Sequence, residues 1–203
     1  MWCKEKAMAL QALIEQVMAH TPRVLQQSDL ACASVLVAIT DEAEPHVILT
    51  LRSSDMPTHK GEVAFPGGKT EGRDADSIAT ALREAEEEVG LDPSQVRIIG
   101  ELDQVISRFG FLVTPVLGIV PANVDLNSDS REIASVFKVP LNFFIQGEPD
   151  QIDQFGSFKG PRWYFEDYTI WGLTAVMLAE MFNRFYGTDL VLELGHLDDY
   201  LDN

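Results

Sequence analysis

The sequence predicts an α+β fold, an α/β/α sandwich, and three observations carry that expectation. β-forming apolar runs and segments of helical period follow one another in the order strands, helix, strands, helix. At 203 residues, with 46% apolar and 23% charged, the chain suits one globular domain with a sizeable core. No internal repeat, low-complexity tract or linker interrupts it, so residues 1–203 read as one domain with its core from about 30 to 187. An opening helix and an acidic tail extend that core.

The elements follow in order. Glu5 to Ala19 carries Ala, Leu, Ile, Val and Met at helical spacing, and Pro22 ends the pattern. Ala33 to Thr40 is rich in β-formers; a turn over Asp41 to Pro45 and a partner strand, His46 to Arg52, complete a hairpin. Ser53 to Lys60 reads as a loop. Glu62 to Phe65 is a short strand entering a tight, close-approach glycine turn, Phe65-Pro66-Gly67-Gly68. Ile78, Leu82, Ala85 and Val89 form the apolar stripe of an amphipathic helix that Gly90 ends in left-handed conformation. After Pro93, strands are expected over Val96 to Asp103, Phe111 to Val120 and Ile133 to Val139, with a polar connection from Asn123 to Arg131. A turn over Gly156 to Gly160 leads to a strand from Arg162 to Phe165. Thr169 to Tyr186 reads as a long buried helix, and the tail from Gly187, with Asp198, Asp199 and Asp202, as loosely ordered.

Charge narrows the partners. A formal net charge of −17 argues against duplex nucleic acid, whose phosphates are bound by Lys and Arg, and against anionic membrane surfaces. A small anionic substrate is still compatible, provided a metal ion or a local basic pocket offsets the repulsion. Cys3 and Cys32 read as two reduced thiols, and neither a secretory signal nor a stretch of 18 apolar residues is evident. A cytoplasmic enzyme fits these readings.

The chemistry gathers on the helix before Gly90. Glu84, Glu86, Glu87 and Glu88 crowd like charges at helical spacing and oppose the macrodipole at its C-terminal end, which costs stability. At about 100° per residue, Glu88 lies about 40° to one side of Glu84 and Glu87 about 60° to the other, while Glu86 points away. Glu84, Glu87 and Glu88 are therefore read as converging on a hard divalent cation. Arg83 stands four residues before Glu87, where it can pair with and orient it. Asp74 reads as the helix N-cap in preference to a direct metal contact.

With Gly68, an acid six residues later, and Arg83-Glu84-x-x-Glu87-Glu88-x-Gly90-Leu91, this segment resembles the Nudix box, the signature of hydrolases acting on nucleoside diphosphates linked to another moiety. The general pattern places a glutamate seven residues before the arginine. Here Asp74 takes that place with eight residues between, a spacing that resembles the coenzyme A pyrophosphatase subgroup. Leu49-Thr50-Leu51-Arg52-Ser53-Ser54 and His59-Lys60-Gly61-Glu62-Val63-Ala64-Phe65-Pro66-Gly67-Gly68 resemble the same subgroup. So do Glu132 to Leu141 and Ile170-Trp171-Gly172-Leu173-Thr174-Ala175. Glu62 stands where the subgroup more often has glutamine, and Met56-Pro57 replaces a more basic stretch.

The resemblance implies a Nudix-like mixed β-sheet flanked by helices. It implies attack of water on the diphosphate of coenzyme A, releasing 4′-phosphopantetheine and adenosine 3′,5′-bisphosphate. Mg2+ or Mn2+ would sit at Glu84, Glu87 and Glu88, with a carbonyl of Gly67 or Gly68 completing the shell. Glu132 is a candidate general base or extra ligand, with a surface acid at a strand edge as the equal alternative. Arg52, His59 and Lys60 are candidates for phosphate contact against a reading as solvated side chains. His20, His46 and His196 lack a partner pattern and read as incidental. Trp163, Trp171 and nearby phenylalanines read as core or subunit interface rather than an adenine platform. A homodimer is expected from the family. Two alternatives stand beside this: the same hydrolysis on ADP-ribose, a dinucleotide or a dinucleoside polyphosphate, and a non-catalytic nucleotide-binding module.

Overall fold

The computed structural model describes residues 2–26, 29–53, 61–127, 132–155 and 158–193, with side chains from Leu10 onward. The elements are α1 (Trp2–Ala19), β1 (Ala31–Asp41), β2 (His46–Arg52), β3 (Val63–Ala64), β4 (Gly67–Lys69), α2 (Ser77–Val89), β5 (Arg97–Glu101), β6 (Val105–Ile106), β7 (Phe111–Pro121), β8 (Ile133–Pro140), α3 (Leu141–Gln146), β9 (Gln151–Phe155), β10 (Phe158–Phe165), β11 (Tyr168–Ile170) and α4 (Gly172–Tyr186).

The spine is the parallel pair β1 and β7, in register from Ala31 opposite Phe111 to Asp41 opposite Pro121. Parallel strands covered on both faces read as continuous apolar runs, and β1 shows why. Val37 and Ile39 enter the larger core cluster, which includes residues of α1 and α4, whereas Leu36 and Ala38 enter a second cluster with Ala81, Ala85 and Val89 of α2. The period-2 alternation of one strand thus feeds two helical layers, giving the expected mixed sheet flanked by helices. Antiparallel β5 and β6 extend β7; β2 meets β1 at Ile39 opposite Val47 and carries β8 and β3. A separate three-stranded antiparallel sheet is ordered β11-β10-β9. Beneath α4, Phe144 packs edge-on to Trp163 at 5.0 Å and against Phe182 at 5.4 Å.

Several expectations are corrected. Phe65 to Gly68 is not a tight turn: Gly67 and Gly68 open β4, which pairs antiparallel with β1 at Val35 and Ser34. The close approach itself is present, because a Cβ on Gly67 would stand 2.5 Å from the Ser34 carbonyl oxygen. The last helix begins at Gly172 rather than Thr169. Tyr168 to Ile170 pair with β10, Trp171 is extended, and Gly172 takes a φ of +62° that a continuing helix forbids. Phe158 to Gly160, expected in a turn, belong to β10; residues 156–157 lie outside the described set. The short elements β6, α3, β9 and β11 add to those the sequence predicts. No described helix is long and apolar enough to cross a membrane. The start of the tail expected to be loosely ordered, residues 187–193, is tied down: Asn183 Nδ2 donates to the Leu190 carbonyl at 2.8 Å, and Lys159 and Glu193 exchange backbone hydrogen bonds of 2.9 and 2.8 Å. Residues 194–203, with their aspartates and His196, and the Cys3 side chain fall outside the described set; Cys32 is a free, exposed thiol.

His20 and His46 are not incidental. His46 Nδ1 lies 3.2 Å from the Glu42 carboxylate. His20 Nε2 lies 2.8 Å from Asp103 Oδ1, which also accepts the Arg23 backbone N–H at 2.7 Å, while Arg184 reaches Asp103 Oδ2 at 2.7 Å. Arg23 in turn holds Glu180 at 2.6 Å, so this network ties the segment after α1 to α4. Burial of Asp103 pushes its pKa upward, but the Arg23 backbone N–H, His20 and the two arginines outweigh it, and the net is below the ordinary aspartate value. A carboxyl depressed on folding contributes stability above its unfolded pKa of about 3.9 and loses it as pH falls through the folded value. Asp103→Ala should therefore cost roughly 2–3 kcal/mol at pH 7, less than a fully buried pair because both arginines reach solvent. In urea titrations, the gap between wild type and variant should narrow as pH drops below about 4.

Candidate functional site

Helix α2 is built from its ends inward. Asp76 is the N-cap, its side chain accepting the Ala79 backbone N–H at 2.8 Å. Gly90 closes the helix at a φ of +66°, its N–H bonded to the Glu86 carbonyl at 3.0 Å. The assignment of the cap to Asp74 is thus corrected by two residues. Asp74 instead accepts Arg83 Nε at 2.9 Å and Arg83 Nη2 at 3.0 Å, the Glu71 N–H at 2.8 Å and the Thr80 hydroxyl at 3.0 Å. Arg83, foremost, and the Glu71 N–H hold this carboxyl well below the usual range.

Arg83 is the hub. Its side chain is 13% exposed, and beyond Asp74 it donates to the Lys69 carbonyl at 2.9 Å, to Glu84 at 2.8 Å and to Glu87 at 3.1 Å. The expected pairing with Glu87 is present. Its guanidinium fixes the chain between β4 and α2 against the helix and sets the direction of two of the three glutamates.

Glu84 and Glu88, one turn apart, face β4. A Cβ on Gly68 would stand 2.5 Å from the Glu84 carboxyl carbon, so the missing side chain leaves the place that carboxylate occupies. Glu88 accepts the Gly67 N–H at 3.1 Å and Arg52 Nη1 at 3.3 Å. Burial raises the pKa of both; Glu88, 8% exposed, is pushed up to about 7 against the opposing pull of the Gly67 N–H and Arg52. Arg52 Nη2 lies 3.5 Å from Glu132, whose side chain is solvent-open.

Glu87 is turned outward to Arg83 and to Arg73 at 2.9 Å, and Glu86 is exposed. Among the described residues, no three His, Cys, Asp or Glu side chains converge closely enough to ligate one ion; the arginines divide the glutamates between them. The donors that face β4 are nonetheless all oxygen, two carboxylates beside a glycine backbone, which is the chemistry a hard divalent cation takes. Arg52, Gly67, Gly68, Arg83, Glu84, Glu88 and Glu132 are brought together, Glu87 stands at the rim, and His59 and Lys60 lie outside the described residues.

Thr80 and Arg73 join the site beyond the residues that the sequence singles out. Buried Thr80 lies three residues before Arg83 and four before Glu84, so helical counting extended back one turn finds it. Arg73 carries no local signal, because its contact with Glu87 spans 14 residues.

The two glycines should respond differently to alanine. At Gly67 the new Cβ meets Ser34 and Val35 backbone atoms at 2.5 and 2.6 Å, so Gly67→Ala should melt at a markedly lower temperature. At Gly68 it meets only the end of the Glu84 side chain, which can swing aside. Gly68→Ala should keep a near-wild-type melting temperature in the same calorimetric scan.

A family model described as the NUDIX domain matches residues 31–163. An uncharacterized Nudix hydrolase, NudL, of Citrobacter koseri is 42% identical over 154 residues, covering 73% of this chain and 80% of that protein. NudL of Salmonella paratyphi B is 41% identical over the same shares. A solved MutT/nudix family protein from Enterococcus faecalis superposes with a TM-score of 0.51 at 14% identity, over 91% of this chain and 74% of that one, a likeness of fold alone. With the domain match spanning most of β1 to β10 and these relatives alongside it, the chain belongs to the Nudix family.

Proposed function

We propose that this Nudix hydrolase cleaves the diphosphate of coenzyme A, or of its derivatives, to 4′-phosphopantetheine and adenosine 3′,5′-bisphosphate. The observation that carries the reaction is the pair Glu84 and Glu88 held against Gly67 and Gly68. The substrate rests on the resemblance of Leu49 to Ser54, His59 to Gly68 and the Asp74 spacing to the coenzyme A pyrophosphatase subgroup. A cytoplasmic location and a homodimer belong to the same proposal.

Mg2+ or Mn2+ held by Glu84 and Glu88, with Glu87 at the rim, would supply neutralisation of the diphosphate charge and acidification of water. The chain supplies the rest. Arg83 orients Glu84 and Glu87, and Asp74 holds Arg83 by two hydrogen bonds. Arg52, between Glu88 and Glu132, presents a guanidinium to phosphate oxygens. Glu132, solvent-open beside Arg52, is the candidate for general base or extra ligand.

Purified protein incubated with Mg2+ or Mn2+ and a panel of coenzyme A, ADP-ribose and NADH should release the two named products from coenzyme A. Rapid cleavage of another member with coenzyme A untouched would overturn the substrate assignment. Glu88→Gln should lower kcat by roughly 10²–10³-fold, while Glu86→Ala should keep wild-type kcat and KM. Full activity in Glu88→Gln would remove the helix from the mechanism. Gly68→Ala, folded but with Glu84 displaced, should lose about 100-fold in kcat/KM.

A further inference from the structure

A second constellation lies beside this site, around Trp171. The expectation that the tryptophans are core holds for Trp163, which is wholly buried; Trp171 is only half-buried. Two guanidiniums stand within 6 Å of its ring: Arg162 Cζ is 5.1 Å from the indole centroid and Arg108 Cζ 5.8 Å. Arg108 also lies 4.7 Å from the Phe109 ring centroid, and Phe109 is 51% exposed. A chain with only 15 Lys and Arg thus places two of them on one indole.

The two arginines are prepared differently. Arg162 is fixed by Asp153, its Nε at 2.9 Å and its Nη2 at 2.8 Å from that carboxylate. Arg108 is 56% exposed, and among the described residues its guanidinium meets the Glu62 carboxylate at 3.2 Å. The patch is joined to the candidate site through the backbone. Arg52, whose side chain reaches Glu88, donates its N–H to the Glu62 carbonyl at 3.0 Å. Thr174, three residues after Trp171, donates its hydroxyl to the Val63 carbonyl at 2.9 Å.

We infer that Trp171 and Arg108 form the subsite for the nucleoside end of the substrate: the indole face stacks on the purine and the Arg108 guanidinium binds a phosphate on the ribose. A planar π-face suits a nucleobase, and an exposed guanidinium suits a doubly charged phosphate. Arg162, locked by Asp153, positions the indole. This assignment rests on the proposed nucleotide diphosphate substrate and names which end of it lies toward β11.

The test uses binding without turnover. Adenosine 3′,5′-bisphosphate and 4′-phosphopantetheine are titrated calorimetrically into wild type and Arg108→Ala. Arg108 is surface-exposed, so the variant should fold, and a matching melting temperature checks this. Arg108→Ala should weaken adenosine 3′,5′-bisphosphate roughly tenfold or more and leave 4′-phosphopantetheine unchanged. The nucleotide should also quench tryptophan fluorescence in wild type, and Trp171→Phe should lose that quench. Equal nucleotide affinity in wild type and Arg108→Ala, no binding of the nucleotide by wild type, or a quench that survives in Trp171→Phe overturns the subsite. If coenzyme A is not hydrolysed but Arg108→Ala still weakens the nucleotide, the substrate proposal fails and the subsite stands.

Discussion

The guanidinium of Arg83 is the constraint on which the rest of the site depends. A nearly buried cation is tolerable only when its donors are matched, and Arg83 meets Asp74, Glu84, Glu87 and the Lys69 carbonyl within 3.1 Å. These contacts do two things at once. They fasten the chain between β4 and α2, and they counter the repulsion among glutamates that helical spacing forces together. Lysine, a point charge with three donors, could not bridge Asp74 through two atoms while also holding Glu84, Glu87 and a backbone carbonyl.

The same economy governs the glycines. Their role here is separation rather than backbone freedom, since neither Gly67 nor Gly68 has a positive φ. Gly67 lets β4 lie against β1, and Gly68 leaves room for the Glu84 carboxylate. The parallel pairing of β1 with β7 makes this possible, because it fixes β1 as a central strand whose other side accepts β4 at Ala33 to Val35 and β2 at Ile39. Helix α2 packs on the face presented by Leu36 and Ala38, which sets its glutamates over the β4 backbone.

Much of this was legible because it is local and periodic. The apolar runs of β1, β2 and β7 follow from side-chain alternation, and Ile78, Ala85 and Val89 of the α2 stripe from helical period, although Leu82 joins neither core cluster and Ala81 is buried in its stead. The left-handed end at Gly90 follows from its lack of a Cβ. The aspartates before α2 show where such reading stops. Asp74 and Asp76 both precede the helix and both satisfy a capping rule; only the tertiary pull of Arg83 on one of them decides between them. Two- and three-residue strands such as β6 and β11 carry too few side chains for a period, and pairing with a neighbour defines them. Arg52 with Glu88 spans 36 residues and His20 with Asp103 spans 83, distances at which sequence spacing holds no geometric information.

Charge balance at the site gives the physical reason for a cation in the proposed reaction. Three guanidiniums, of Arg52, Arg73 and Arg83, are engaged by six carboxylates, of Glu71, Asp74, Glu84, Glu87, Glu88 and Glu132. A diphosphate entering beside them would bring further negative charge to a place already short of positive charge, on a chain of net charge −17. Arginine alone cannot reverse that sign, because each guanidinium that turns to phosphate leaves a carboxylate behind it uncompensated. A divalent ion adds charge without taking any from the carboxylates. It would also let Arg52 leave Glu88 for the substrate, since the burial that raises the Glu88 pKa would then be offset by the ion. The acidity of the helix, costly to the fold, is therefore the feature that makes a metal-dependent reading coherent.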